Sequence, residues 1–445
     1  MRDLKNNIYV KIGVIVLLTL LLLIPKVMIE DLIHEREYRQ TLAINEVSAK
    51  WGKVQTLAGP IVSIPYYRYV RQKSNKNDSR DTTTNIVRVK EHLHFLPNDL
   101  KIDGQVFPEK RYRALYEIVV YNSQVNISGV FKDINFKDFD IPMQNILFDK
   151  AFISIGISDL RGIEKQIDLN WNNDKLSFNP GTVTKDVVRS GINARIPLKV
   201  SNNSLYKFSF KLDLKGSQKL YFTPVGKITN VTLNSKWKDP SFNGSFLPDS
   251  RDVSEKGFTA NWNVLHLNRN YPQAWRGGSY NIYPSTFGVD LLLPVDNYQK
   301  SIRSIKYAIL FLILTFMVFF FVEILKDRFI HPIQYILVGL ALIVFYSLLL
   351  AFSEHINYNL AFIVSAMLTI LLISAYVKAI LKSNKLTVLI SGILFILYTF
   401  IFVIIQLQDY ALLIGSIGIF IILGLVMYFS RKIDWYNLNS KKIEK

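Results

Sequence analysis

Hydrophobic and polar positions are unevenly distributed along this chain. From Tyr307 onward, five runs of 19 or 20 residues are almost free of charge: 307–325, 333–352, 358–377, 386–405 and 410–429. At about 1.5 Å of rise per helical residue, each spans roughly 30 Å, the thickness of a bilayer's hydrocarbon core. A sixth apolar run, "IYVKIGVIVLLTLLLLIPKVMI" (8–29), lies near the N-terminus, and its uninterrupted part is 12–25. No small-x-small cleavage site follows it in "PKVMIEDLIHEREYRQ", so it reads as an uncleaved anchor rather than a signal peptide. The pattern predicts six transmembrane helices.

Between the first two spans the texture changes. "EDLIHEREYRQTLAINEVSAKW" (30–51) has no Gly or Pro and places Glu35–Arg39 and Glu46–Lys50 at i,i+4, which predicts a charged helical stalk. From Val54 the period becomes two, in "IVRVKEHLHF" (86–95), "YEIVVYNSQVNISGVF" (116–131), "AFISIGIS" (151–158) and "YKFSFKLDLKGSQKLYFTPVG" (206–226). In the last of these, Phe208, Phe210, Leu212 and Leu214 share one face, while Lys207, Ser209, Lys211 and Asp213 share the other. Turn clusters such as "KWKDPSFNGSFLPDS" separate the runs, and no helical pattern intervenes that would support a parallel sheet. The fold class is therefore a membrane α-helical part with six transmembrane helices plus a large, mainly-β, antiparallel sandwich-like extracytoplasmic domain. The polar stretch 71–85 reads as a mobile loop or the tip of a long hairpin. The expected division is 1–29 anchor, 30–51 stalk, 52–303 β-rich domain, 304–430 five-helix membrane domain and 431–445 cytoplasmic tail.

Charge sets the orientation. Arg2, Lys5 and Lys11 precede the first span. Lys326 and Arg328 follow the second, Lys378, Lys382 and Lys385 the fourth, and Arg431 and Lys432 the sixth. The short loops 353–357 and 406–409 contain neither Lys nor Arg. The positive-inside rule then puts both termini in the cytoplasm and about 30–303 on the far side of the membrane. That segment has 38 Lys and Arg against 28 Asp and Glu, so part of the chain's net +18 faces outward. Membrane lipids and anionic envelope polymers, or another envelope protein, are the expected partners, and nucleic acid is not. With no cysteine, the outer domain must be held by its core.

Candidate chemistry is sparse. There is no Gly-x-Ser-x-Gly, His-Glu-x-x-His or phosphate-loop motif, and no nucleophile–base arrangement is visible. His92 and His94 share one strand face and amount to half a metal site; with no third ligand nearby, an ordinary solvent-facing pair is expected. Trp171, Trp237, Trp262 and Trp275 read as core or rim residues rather than a sugar-stacking platform. Glu354, His355 and Asp409 fall in the two outer turns, where they could bind a divalent ion, relay a proton or simply end helices, with Asp409 placed to cap the last one. Glu323, three residues before Lys326, reads as a snorkelling, paired carboxylate near the cytoplasmic end. Gly415, Gly418 and Gly424 read as close-packing positions. No cofactor, metal or catalytic residue is expected.

Several long stretches resemble one family. "LIHEREYRQTLAINEVSAKWGKVQTLAGPIVSIPY" (32–66), "SKWKDPSFNGSFLPDSRDVSEKGFTANW" (235–262) and "STFGVDLLLPVDNYQKSIRSIKYAILFLILTF" (285–316) are similar to the CreD family of inner-membrane proteins. So are "HPIQYILVGLALIVFYSLLLAFSEHI", "QDYALLIGSIGIF" and "MYFSRKIDWY" in the membrane half. The resemblance runs in the same order over nearly the whole chain and is weakest at about 71–230. It implies a Gram-negative inner-membrane protein with a periplasmic domain, linked to cell-envelope integrity, colicin tolerance and control by a two-component system, and no catalytic residues. The expected function is a non-enzymatic scaffold or binding module for an envelope component. The alternative is a transporter or ion-coupled membrane subunit that uses the outer-face polar residues.

Overall fold

The structure, a computed structural model, describes residues 8–74, 83–132, 134, 136–198, 205–293, 297–326, 329–407 and 410–431. It divides into two compact units, Met1–Thr41 with Val295–Lys445, and Leu42–Pro294.

The first unit is helical, and residues 42–51 of its first helix fall in the second unit. α1 (Ile8–Trp51) is one continuous helix of 44 residues with Pro25 inside it, so the anchor and the stalk are a single element. Its i,i+4 pairs form as the spacing predicts, Arg39 to Glu35 at 2.6 Å and Lys50 to Glu46 at 2.8 Å. The others are α2 (Asn297–Lys306), α3 (Ala308–Leu325), α4 (Pro332–Ser353), α5 (Tyr358–Leu381), α6 (Asn384–Gln406) and α7 (Ala411–Ser430). Among the described residues, six helices are long and apolar enough to cross a membrane, and they coincide with the six predicted spans. Local chemistry sets where they start. The backbone N–H of Ile333 donates to His331 Nδ1 ahead of α4, with Pro332 in the first turn; the N–H of Leu360 donates to Asn357 Oδ1 in α5.

The close-packing glycines differ from expectation. A Cβ on Gly415 or Gly424 would meet nothing within 4 Å, and only Gly418 of the three abuts a neighbour, Phe400 of α6. The tight approach is at Gly339 in α4, where a Cβ would lie 2.3 Å from Leu22 of α1 and 3.0 Å from Phe316 of α3. A glycine's spacing in one helix does not reveal which side its neighbours occupy.

The second unit is β-rich. Its strands are β1 (Gln55–Ser74), β2 (Thr83–Phe95), β3 (Asp99–Arg113), β4 (Tyr116–Lys132), β5 (Phe152–Ile157), β6 (Asp168–Trp171), β7 (Asp174–Ser177), β8 (Asn179–Pro180) and β9 (Gly191–Arg195). They continue with β10 (Leu205–Ser217), β11 (Lys219–Thr223), β12 (Ile228–Ser235), β13 (Pro240–Gly244), β14 (Ser250–Ser254), β15 (Gly257–Leu265), β16 (Ala274–Arg276) and β17 (Phe287–Leu291). One sheet runs β13-β17-β11-β1-β5-β9-β8, with β2 paired to β1 and β16 to β2. The other runs β14-β15-β12-β3-β4-β10-β6-β7. Both sheets send side chains into one apolar core, which includes Phe208, Phe210, Leu212 and Leu214 from the strand whose alternation was clearest. Trp171, Trp262 and Trp275 are buried in it at 1–3% exposure and Trp237 packs against it, as core or rim tryptophans should.

The sheets are mixed rather than purely antiparallel. β1 pairs parallel with β11, and β3 parallel with β12. Each parallel pair is joined by a long excursion through other strands, so the usual crossover helix is not needed. The polar stretch at 71–85 falls at the end of a long hairpin, β1 pairing with β2 out to Ser74 opposite Thr83; residues 75–82 lie outside the described set.

Candidate functional site

In the α4–α5 turn, Glu354 is 10% exposed and accepts from Tyr298 of α2 at 3.2 Å, with Arg36 of α1 at 3.8 Å. His355, the next residue, is exposed; its backbone N–H donates to the Phe352 carbonyl at 3.0 Å, and among the described residues no hydrogen bond joins it to Glu354. Asp409 lies outside the described residues. Glu354 thus ties its turn to two helices distant in sequence, a relation that adjacency to His355 did not suggest.

Glu323 is 5% exposed and pairs with Lys11 of α1 at 2.8 Å, not with Lys326. Its second oxygen accepts from Tyr335 of α4 at 3.1 Å. The correction is geometric: on a helix, a residue three positions on shares the same flank, but a carboxylate aimed into the bundle meets another helix first.

A dense polar arrangement of the β unit lies on one face of the sheet that contains β1. Register places it there. Ser63 is opposite His94 and Pro65 opposite His92 in the β1–β2 ladder, and side chains two apart share a face. Ser63 Oγ is 2.9 Å from His94 Nδ1. The segment between β8 and β9 brings in Asp186, whose Oδ2 lies 3.2 Å from His92 Nδ1 and 3.3 Å from His94 Nε2. His94 is completely buried and His92 is 13% exposed, so the expected solvent-facing pair is instead covered. Trp275 packs 5.7 Å from the His94 ring and Phe152 lies 5.9 Å from that of His92.

One proton arrangement satisfies the contacts among these four side chains and leaves His92 Nε2 without a partner among the described residues. Ser63 O–H donates to His94 Nδ1, while His94 Nε2–H and His92 Nδ1–H both donate to Asp186. The hydrogen bond from His94 is the main cause that holds the Asp186 carboxyl down at about 2, and burial pushes the His92 imidazole below its usual range. Among the described residues, no group of three or more His, Cys, Asp or Glu is arranged to hold a metal. A Ser–His–Asp set that sequence spacing left invisible does exist. However, Ser63 is 2% exposed and His94 0%, so neither reaches a substrate in this conformation. The network serves as a latch, pinning the β8–β9 segment onto the sheet.

Beside the latch a cleft of about 460 Å³ opens on the same face. Lys90 is two residues before His92 on β2, Arg195 pairs with Phe152 across β5 and β9, and Lys150 ends the short turn before β5. These three cations converge, and among the described residues no Asp or Glu lines the cleft. Asn179 and Ser177 add neutral hydrogen-bonding groups, while Phe152 and Val183 give an apolar wall. Such a lining attracts an anion and can hold one with a partly apolar, hydroxylated body. Sequence reading missed it because the three cations sit at 90, 150 and 195, and only strand register makes them neighbours.

Comparison with known proteins gives a consistent answer. The family model described as inner membrane protein CreD matches residues 7–436. The inner membrane protein CreD of Escherichia coli (strain K12) is 33% identical over 449 residues, covering 99% of this chain and 96% of that protein. Among solved structures, an M1 zinc metallopeptidase from Deinococcus radiodurans aligns over 38% of each chain at 6% identity, with a TM-score of 0.18, too low to bear on fold or function. Sequence agreement runs through both the helical and the β units, and this chain belongs to the CreD family of inner membrane proteins.

Proposed function

We propose that this multi-pass inner-membrane protein contributes to cell-envelope integrity without catalysis, by holding its β unit in the periplasm to bind an anionic envelope component. The observation that carries the reading is the cleft in which Lys90, Lys150 and Arg195 converge with no carboxylate in the lining among the described residues. The orientation rests on the Lys and Arg distribution of the short loops, which puts the β unit and its excess positive charge on the outer side. Uncompensated cations around a concave site favour a polyanion by long-range attraction, and bidentate geometry at Arg195 suits phosphate or carboxylate.

The test uses full-length protein in detergent and a fluorescent phosphorylated oligosaccharide, with its dephosphorylated form as control. Wild type is expected to prefer the phosphorylated form, with affinity falling as salt rises. Replacing Lys90, Lys150 and Arg195 together by Gln should weaken binding by roughly tenfold or more, about 1.4 kcal/mol or above. In cells lacking the gene, wild type should restore detergent resistance and the triple variant should not. A stably inserted triple variant that binds and rescues like wild type sinks the proposal.

A further inference from the structure

The helical unit contains a second site, independent of the cleft. At the end of the bundle where α1 and α4 begin and α3 finishes, a cavity of about 280 Å³ lies beside the Lys11–Glu323 pair. Its walls are mostly apolar, from Val10, Val14, Ile15, Ile330 and Pro332, while Lys11, Glu323 and His331 supply its polar rim. The rim is not fully satisfied. Lys11 carries three N–H donors, and among the described residues only Glu323 accepts one, at 2.8 Å; the ammonium also sits 5.7 Å from the Phe329 ring. Glu323 uses one lone pair for Lys11 and one for Tyr335, and a carboxylate has about four to offer. His331 Nδ1 accepts from Ile333 N–H, which leaves the ring's proton on Nε2, free to donate. His331 is exposed at the mouth, but for Glu323, 5% exposed, and Lys11, 25% exposed, unused acceptors and donors favour an occupant that satisfies both kinds.

The occupant must therefore combine an acyl-like apolar body, an acceptor-rich anion for Lys11 and His331, and a cationic N–H donor for Glu323. Lys11 and Glu323 already cancel, so a purely anionic headgroup would leave a net charge buried, whereas a zwitterion leaves none. We infer that this cavity is a binding site for the headgroup of a phosphatidylethanolamine lipid, the phosphate on Lys11 and His331 and the primary ammonium on Glu323. A choline headgroup has the same charges but no N–H to donate, and glycerol lacks the cation.

This chemistry makes the test selective. Full-length protein in detergent is titrated with phosphatidylethanolamine, phosphatidylcholine and phosphatidylglycerol of matched acyl chains, and Tm is followed. Ethanolamine lipid is expected to give the largest rise. Glu323→Gln should abolish the advantage of ethanolamine over choline, and Lys11→Gln should reduce the response to all three. Because either change breaks the ion pair and can impair folding, His331→Ala is measured as well. It lies off the pair; losing the α4 cap should lower the lipid-free Tm modestly, and the ethanolamine shift, measured from the variant's own lipid-free Tm, should shrink. Equal shifts with the three lipids, a preference for phosphatidylglycerol, or an unchanged ethanolamine shift in His331→Ala would each overturn the assignment.

Discussion

His94 and His92 stand two residues apart on one strand, and replacing each by Ala should have very different consequences. His94 is wholly buried, and its removal acts through three effects. It deletes a charge-assisted hydrogen bond to Asp186, strands the Ser63 hydroxyl at 2% exposure, and opens a void beside Trp275. A hydrogen bond to a charged group contributes about 1.5–3 kcal/mol, and an orphaned buried donor costs about 1–3. These effects share one network and do not add fully, so about 3 kcal/mol is the expected destabilisation. For a unit of this size, each kcal/mol lowers Tm by roughly 2–4 °C, giving a fall of roughly 6–12 °C. His92 is 13% exposed with a single bond to Asp186 at 3.2 Å, so its loss should cost about 1 kcal/mol and roughly 2–4 °C. The assay is thermal unfolding of the full-length protein in detergent, followed by intrinsic fluorescence, since Trp275 reports on the His94 pocket directly. If the two variants unfold at the same temperature, or His92→Ala is the worse, the latch geometry is wrong and the pair faces solvent after all.

The same latch gives a pH prediction. The Asp186 carboxyl is held down at about 2 from 3.8, so its contribution is complete above pH 3.8 and is lost as pH falls through about 2. The His92 imidazole is depressed below 6.5, so the unfolded chain takes up a proton first and stability begins to fall below pH 6.5. In Tm measured against pH, His92→Gln should flatten the slope just below pH 6.5, whereas Asp186→Asn should flatten it below pH 4 and, by removing the charge that offsets the burial of His92, leave the slope just below pH 6.5 at least as steep; exchanged windows would contradict the assignment. In the membrane half, Gly339→Ala should cost about 1–2 kcal/mol, because its Cβ would press on the buried Leu22 and Phe316, while Gly415→Ala, with open space around it, should be neutral in the same Tm assay. Glu323→Ala should cost about 3 kcal/mol by stranding Lys11, and the double change with Lys11→Met should be milder than that single one; a double mutant as damaged as the sum of both singles would show that the two groups are not coupled.

What could be read from the sequence follows the range of the interaction. The six spans come from runs of consecutive residues, and the helix starts at His331 and Asn357 from caps two or three positions away. The alternation in Lys207–Leu214 also predicted which side chains enter the core, with one exception: Asp213, assigned to the solvent face, is 8% exposed and pairs with Lys165 at 2.8 Å. Failures begin where partners are separated by an excursion of the chain. Neither parallel pairing, β1 with β11 or β3 with β12, has a local signal, because hydrophobic period is the same in either strand direction. Lys11 and Glu323 are 312 positions apart, and nothing in "FFVEILKDR" distinguishes a carboxylate that snorkels beside Lys326 from one that turns inward.

The cleft shows how far such reasoning can reach once one long-range fact is known. Given only that Ser63 pairs with His94, the two-residue period puts Pro65, His92 and Lys90 on the same face of β1 and β2. Given next that Ser63 also pairs with Phe152, and Phe152 with Arg195, the same parity adds Arg195 to that face without further information. Three register assignments thus suffice to gather the histidines and two of the three cations, and a one-residue slip in either of the last two would send Arg195 to the core face. A buried, unpaired arginine there would be prohibitive, so the register that buries Ile153, Ile155 and Ala194 is the same one that turns Arg195 outward toward Lys90. Cation convergence in this protein is therefore a consequence of core packing on the opposite face of the sheet. Lys90, Lys150 and Arg195 are all exposed, so substitutions at these three positions change the charge of the cleft without touching the core.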